Sequence, residues 1–304
     1  MSLAFTAPHL SPERALGLLA RHYALSGTLE PLPSERDQNF RLTTAAGARY
    51  VFKIANAQED RALLEAQQEA MARVAERHGP GPRVIPGAQG ATLFECEEDG
   101  RRHLCWLVEW LPGHPLAEIG TIPPGLWHEL GAGLARLDQA LAGGPPSALD
   151  RDFCWNLAGA ERIVSQALPT IADQELRGAM QTLRAGVRPE FFSLRRQVIH
   201  NDANDFNVLI DLPRDTSRQP ARLAGFIDFG DLGVGPRVAD PAIAVAYAML
   251  GRADPLAVAG EIVAGYHRQS PLADEEFAAL FGLACLRLCL SVANAQRQHR
   301  ENPA

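Results

Sequence analysis

The chain has 304 residues, 46% hydrophobic and 21% charged, with a net charge of -7 and a pI near 5.7. That composition is globular rather than disordered, and the length suits one large domain or two modest ones. The acidic balance argues against a general nucleic-acid binder and suits a site that attracts cations or metal-bound phosphate. No apolar run is read as reaching the ~18 residues of a membrane span. The start, MSLAFTAPHLSPERA, has no basic segment leading into an apolar one, so no signal peptide is expected and the setting is expected to be cytoplasmic.

In chain order, SPERALGLLARHYAL opens with Ser11 as cap and Pro12 in the first turn, and reads as a helix. After Gly27 come a strand, a polar turn, the strand NFRLTT, a tight AAGA turn and the strand RYVFKIA. EDRALLEAQQEAMARVAERHG is a helix ending at Gly79, and ATLFECEEDGRRHLCWLVEWL gives two strands joined by an Asp-Gly turn. Residues 1–107 are therefore expected to form a small antiparallel lobe with one prominent helix, followed by a hinge at about 108–114. Residues 108–304 read as a mostly helical lobe, broken by the short strands QVIH, NVLI and LAGFIDF. A β-rich lobe hinged to a helical one implies a ligand held between them.

The five cysteines have spacings that fit no disulfide framework, and Cys285 and Cys289, four apart on one helix face, read as small buried hydrophobes. The 29 basic residues include a single lysine, Lys53, in the strand RYVFKIA. Where a chain uses arginine almost everywhere, a lone lysine marks a place that needs a compact ammonium rather than a planar guanidinium.

The segment VIHNDANDFNVLI sets His200, Asp202, Asp205 and Asn207 between two apolar runs, and a second strand ends in Asp228-Phe229-Gly230-Asp231. If the two strands form a hairpin, its open end brings the loop to Asp228. Asp202 can then accept a proton from an attacking hydroxyl. Asn207 and Asp228 can hold Mg²⁺ against nucleotide phosphates, because Mg²⁺ takes few protein oxygens and completes its shell with phosphate and water. Phosphoryl transfer needs mainly positioning and charge neutralisation, which these groups supply. Lys53 would reach the α- and β-phosphates, and a helix glutamate, Glu65 ahead of Glu69, would pin it. His200 is expected to orient the loop through hydrogen bonds. Asp240 is expected to cap the helix PAIAVAYAML or to bond the loop backbone. Trp155, Tyr247 and Asp231 are candidates for the acceptor pocket. Asp205 and Asp231 add negative charge there, which favours a small cationic alcohol.

Strand lysine, helix glutamate, hinge, His-x-Asp-x4-Asn loop and Asp-Phe-Gly occur in an order that resembles the aminoglycoside phosphotransferase and choline kinase-like family. The likeness spans nearly the whole chain. Within it, LPSERDQNFRL, VFKIAN, LVEWLPGHPL, FCWNL and GFIDFGDLG look like the hydroxylysine kinase branch. The resemblance implies an α+β, bilobal protein-kinase-like fold and a kinase using Mg²⁺ with ATP or GTP. It also implies nucleotide contacts from Ser34 in the turn SERDQNF and from Glu109 and Leu111 in the connection. The acceptor would be an amino alcohol or hydroxy amino acid such as hydroxylysine; aminoglycosides, choline, ethanolamine and homoserine are alternatives. Two features depart from the family: Asn201 stands where Gly is usual, and the first hairpin lacks a Gly-rich phosphate loop. A non-catalytic nucleotide-binding module would be expected to have lost Asp202, Asn207, Asp228 or Lys53, and all four are present. A protein kinase would carry Ala-Pro-Glu after Asp-Phe-Gly, and none follows.

Overall fold

The computed structural model describes residues 7–34, 36–144, 146–212 and 221–301. Glu35 in the first turn and residues 213–220 of the linker before LAGFI lie outside the described residues. The chain divides into two compact units, Met1–Ala75 with Pro82–Leu111, and Glu76–Gly81 with Pro112–Ala304.

The first unit begins with α1 (Pro12–Tyr23), whose Ser11 cap accepts from the Arg14 N–H and whose exit residue Ala24 is left-handed. Its sheet holds β1 (Gly27–Leu32), β2 (Gln38–Thr44), β3 (Arg49–Ile54), β4 (Val84–Ile85), β5 (Phe94–Glu98) and β6 (Arg101–Glu109), in the order β1-β2-β3-β6-β4 with β5 on β6. All its pairings are antiparallel. The β5–β6 turn has Asp99 at φ 50° and Gly100 at φ 70°, the two positive angles a tight primed hairpin turn requires. Helix α2 (Arg61–Glu76) buries Leu63, Leu64, Gln67, Ala70, Met71 and Val74 at helical spacing, with glutamates on the outer face. Phe40, Leu42, Phe52, Ile54, Cys105 and Leu107 form the core beneath α1.

The second unit holds β7 (His114–Pro115), α3 (Leu126–Leu141), α4 (Leu157–Ala167), α5 (Gln174–Ala185), β8 (Arg196–Ile199), β9 (Val208–Asp211), β10 (Arg222–Phe226), β11 (Gly233–Pro236), α6 (Ala239–Ala248), α7 (Pro255–Gln269) and α8 (Asp274–Glu301). β9 pairs antiparallel with β10 and with β7. β8 pairs with β11, a Gly-Val-Gly-Pro strand with no strand signature of its own. Helices α3 and α7 touch backbone to backbone. A Cβ on Gly131 would stand 1.9 Å from the Ile262 carbonyl oxygen, and one on Gly265 1.9 Å from that of His128. This close approach brings Asp138 of α3 to Tyr266 of α7.

One expectation is corrected. By length and composition, the segment Asp274–Arg300 of α8 is apolar enough to cross a membrane. It packs instead against α4, α5 and α6, and 61% of its most apolar window is buried inside the protein. A core helix surrounded by other helices is apolar on most faces for the same reason a membrane helix is.

Candidate active site

The loop after β8 is built on two buried side chains. Asp240 accepts the backbone N–H of His200 through Oδ2 and that of Asn201 through Oδ1, both at 2.7 Å, and is fully buried. It lies inside the first turn of α6 and makes no capping hydrogen bond, so of its two expected roles the structure shows the loop-holding one. The His200 ring touches the Ile227 carbonyl through Nε2 at 3.0 Å and accepts the Asp202 N–H on Nδ1 at 3.4 Å, which fixes the Nε2–H tautomer. Phe229 packs edge-on against that ring. Asn201 adopts φ 65°, the left-handed conformation in which Asn is better tolerated than other non-glycine residues. Asn201→Ala is therefore expected to cost about 1 kcal/mol of stability and Asn201→Gly about half that or less, measured by urea unfolding.

The carboxylate of Asp202 is held at both oxygens. Oδ1 accepts from Arg287 Nη2 at 2.6 Å and from Asn204 Nδ2 at 3.0 Å; Oδ2 accepts from Asn207 Nδ2 at 2.7 Å. Asn207 gives its second amide hydrogen to the Asp202 carbonyl at 3.0 Å, which turns its Oδ1 away from Asp202. Asn204 also accepts the N–H groups of Phe206 and Asn207, closing the turn that presents them. Beyond the last β9–β10 pair, the Ile227 N–H donates to the Asn207 carbonyl at 2.9 Å while His200 holds the Ile227 carbonyl. These two bonds set Asp228 beside Asn207. Asp228 is exposed, left-handed at φ 60°, and accepts the Gly230 N–H on Oδ1. An amide and a carboxylate, both hard oxygen donors, thus stand on neighbouring residues at the hairpin's open end. Among the described residues no cluster of three or more His, Cys, Asp or Glu side chains could hold a metal alone. An ion that completes its shell with phosphate and water oxygens needs no such cluster.

The expected acceptor residues fall around this centre. Asp231 is buried, and its neighbour Gly230 gives its carbonyl to Arg151 at 2.8 Å. Asp205 is half-buried and uses its backbone carbonyl to accept from Ala117. Trp155 and Tyr247 flank the Arg287 guanidinium, with ring centroids 5.0 and 5.6 Å from its carbon.

In the first unit, Lys53 pairs across the sheet with Asn39 and with Trp106, and its ammonium lies 5.5 Å from the Trp106 ring centre. The Glu65 carboxylate, more than half exposed, lies 3.4 Å from Arg61 one turn earlier on α2. Glu69 is likewise 3.1 Å from Arg73. The structure thus gives each helix glutamate an arginine partner on its own helix. Ser34 is exposed, and its hydroxyl accepts the Asp37 N–H at 3.2 Å. Asp37 in turn accepts both the backbone and side-chain N–H of Asn56, tying this turn to the end of β3. Glu109 is bidentate with Arg83 at 2.9 and 3.1 Å, and that guanidinium holds its carboxyl below the ordinary range. Leu111, half-buried, is the last residue of the unit.

The family model of the phosphotransferase enzyme family (APH) matches residues 28–281. The chain belongs to that family. It is 30% identical over 316 residues to the hydroxylysine kinase of Bos taurus, covering 97% of this chain and 84% of that one. It is 28% identical over 311 residues to the hydroxylysine kinase of Danio rerio, covering 97% and 86%. A solved structure titled as an amicoumacin kinase in complex with AMP-PNP, Ca²⁺ and Ami matches with a TM-score of 0.68 at 14% identity, over 97% of this chain and 94% of that one. This phosphotransferase has the α+β, protein-kinase-like fold of such enzymes, and it is a kinase that transfers phosphate to a hydroxyl group.

Two groups of buried residues in this kinase escape a reading of the sequence. The first is Arg287, 2% exposed on α8, which donates from Nη1 to the carbonyls of Trp155 and Asn201 and from Nε to the Tyr247 hydroxyl. The second lies behind the loop. Asp138 takes a hydrogen bond from the Tyr266 hydroxyl on Oδ2 and lies against the Asp240 carboxyl, while among the described residues no donor reaches its Oδ1. Burial first, then the charge and hydrogen bond of Asp240, hold the Asp138 carboxyl well above the ordinary carboxylate range, against the pull of Tyr266 and Arg237. That raised carboxyl lies behind the Asp240 carboxylate that holds the loop.

Proposed function

We propose that this kinase transfers the γ-phosphoryl group of a Mg-nucleotide, ATP or GTP, to the hydroxyl of a small amino alcohol or hydroxy amino acid of the hydroxylysine type. The observation that carries the reading is that Asp202 and Asn207 are bonded to each other and Asp228 follows the Ile227 that pairs with Asn207, in a loop held by His200 and Asp240. Likeness to hydroxylysine kinases over 97% of the chain supports the acceptor class.

In this reading Asp202 Oδ2, which accepts one hydrogen bond from Asn207, receives the acceptor's hydroxyl proton. Asn207 Oδ1 and the Asp228 carboxylate are the groups that would hold Mg²⁺, whose role is to offset phosphate charge. Lys53 anchors the α- and β-phosphates. Asp205 and Asp231 favour an acceptor bearing an ammonium group, although Arg287 on Asp202 and Arg151 at Gly230 reduce the local negative excess.

A phosphate-transfer screen of amino alcohols, hydroxy amino acids and aminoglycosides with both nucleotides tests the assignment. 5-Hydroxylysine is expected to exceed an uncharged hydroxy-amide of similar length about ten-fold in kcat/KM, the residue of a charge pair after screening. Equal values for charged and neutral acceptors would remove the cationic preference and leave the kinase assignment standing. Lys53→Arg is expected to lower activity at unchanged charge, because a guanidinium is longer, planar and differently hydrated. A folded Lys53→Arg protein with wild-type turnover would end the case for Lys53 as phosphate anchor.

A further inference from the structure

A guanidinium in the apolar interior of α8 is an expensive way to fill space, since a buried charge must recover its lost hydration through its partners. Arg287 is among the largest fully buried side chains of the described residues. Its Nε–H donates to the Tyr247 hydroxyl at 3.0 Å, which shares a hydrogen bond with Ser291; the Ser291 hydroxyl in turn donates to the Arg287 carbonyl at 3.0 Å. Nη1 reaches the carbonyls of Trp155 at 3.1 Å and Asn201 at 3.4 Å. Nη2 is left for Asp202 Oδ1, at 2.6 Å. The guanidinium is therefore fixed by backbone and hydroxyl groups on one side and offers its remaining edge to a single oxygen.

That oxygen also accepts from Asn204, so Oδ1 is saturated, while Oδ2 accepts from Asn207 and keeps a lone pair. We infer that Arg287 is a positioning residue for phosphoryl transfer: it locks the Asp202 carboxylate so that Oδ2, and not Oδ1, faces the acceptor hydroxyl. The inference rests on Asp202 acting as the base. Without Arg287 the carboxylate keeps only the amide donors of Asn204 and Asn207, so its orientation is held less firmly and the geometry that makes the reaction effectively unimolecular is populated less of the time.

The test compares Arg287→Met, Arg287→Lys, Asp202→Asn and the Arg287→Met/Asp202→Asn double variant in steady-state kinetics, with thermal melting and nucleotide titration as folding controls. Arg287→Met is expected to lower kcat about ten- to a hundred-fold, with KM for both substrates moving less than about three-fold. Arg287→Lys, which restores the charge and one donor, is expected to recover part of that loss. The double variant is expected to fall no further than Asp202→Asn, because a misplaced base is no loss once the base is gone. If Arg287→Met does not fold, Arg287→Lys carries the test: wild-type kcat in that variant, with the planar fork gone, would overturn the inference. So would a folded Arg287→Met with wild-type kcat, a loss confined to KM, or full additivity with Asp202→Asn. Near-wild-type turnover of Asp202→Asn would instead overturn the base assignment, and the inference with it.

Discussion

Asp202→Asn is expected to lower turnover by about 10²–10⁴ while nucleotide affinity stays within a few-fold, the usual consequence of losing a general base. The hydrogen bonds show why an isosteric amide fails. Arg287 and Asn204 both donate to Oδ1, so the amide oxygen of the variant must sit there. Its NH₂ then occupies the place of Oδ2, where it meets the NH₂ of Asn207 and turns donors toward a hydroxyl that needs an acceptor. Steady-state kinetics beside nucleotide titration measures both quantities, and turnover near wild type would remove Asp202 from the mechanism.

The strands flanking that loop were legible because each carries its own signal. Short apolar runs bounded by Asn and Asp read as strands wherever they occur, and the hairpin that sets Asp228 beside Asn207 follows from pairing them. β11 carries no such signal: Gly-Val-Gly-Pro becomes a strand only because β8 is there to pair with it. The helix glutamates have a local partner as well. Glu65 and Glu69 stand at the right distance from Lys53 in sequence, but each is also four residues from an arginine on its own helix. Local pairing at i and i+4 forms without any tertiary contact, so sequence spacing alone does not say which partners a helix glutamate takes.

Arg287 was missed for a different reason. It is separated from Asp202 by 85 residues and lies in FGLACLRLCLSV, a stretch read for its cysteines. The signal was available: a charge inside an apolar helical run has to find a buried partner. No sequence rule, however, says that the partner is the base. Asp138 is harder still. In GLARLDQALAG it looks like an ordinary polar position at the end of a helix, and its burial depends on the glycine contact between α3 and α7.

That buried acid pair makes an asymmetric forecast. Asp240 acts as an acceptor for two backbone N–H groups and lies against the raised Asp138 carboxyl. Asp240→Asn replaces one acceptor oxygen with a donor, setting NH₂ against a loop N–H, and is expected to cost about 2–4 kcal/mol, since hydrogen bonds to a charged group contribute about 1.5–3 each. Asp138→Asn keeps an oxygen to accept from Tyr266 and removes a carboxyl that burial disfavours as a charge. That substitution is expected to cost about 1 kcal/mol or less. The pH dependence separates the two further. A carboxyl whose folded value is raised keeps a proton that the unfolded chain releases above about 3.9, so its contribution is full below that value and declines as pH rises toward the folded value. Asp138→Asn should remove this declining component from a urea-unfolding series run from acid to neutral pH. Equal losses for the two substitutions, or an unchanged pH slope in Asp138→Asn, would mean that burial does not raise the Asp138 carboxyl.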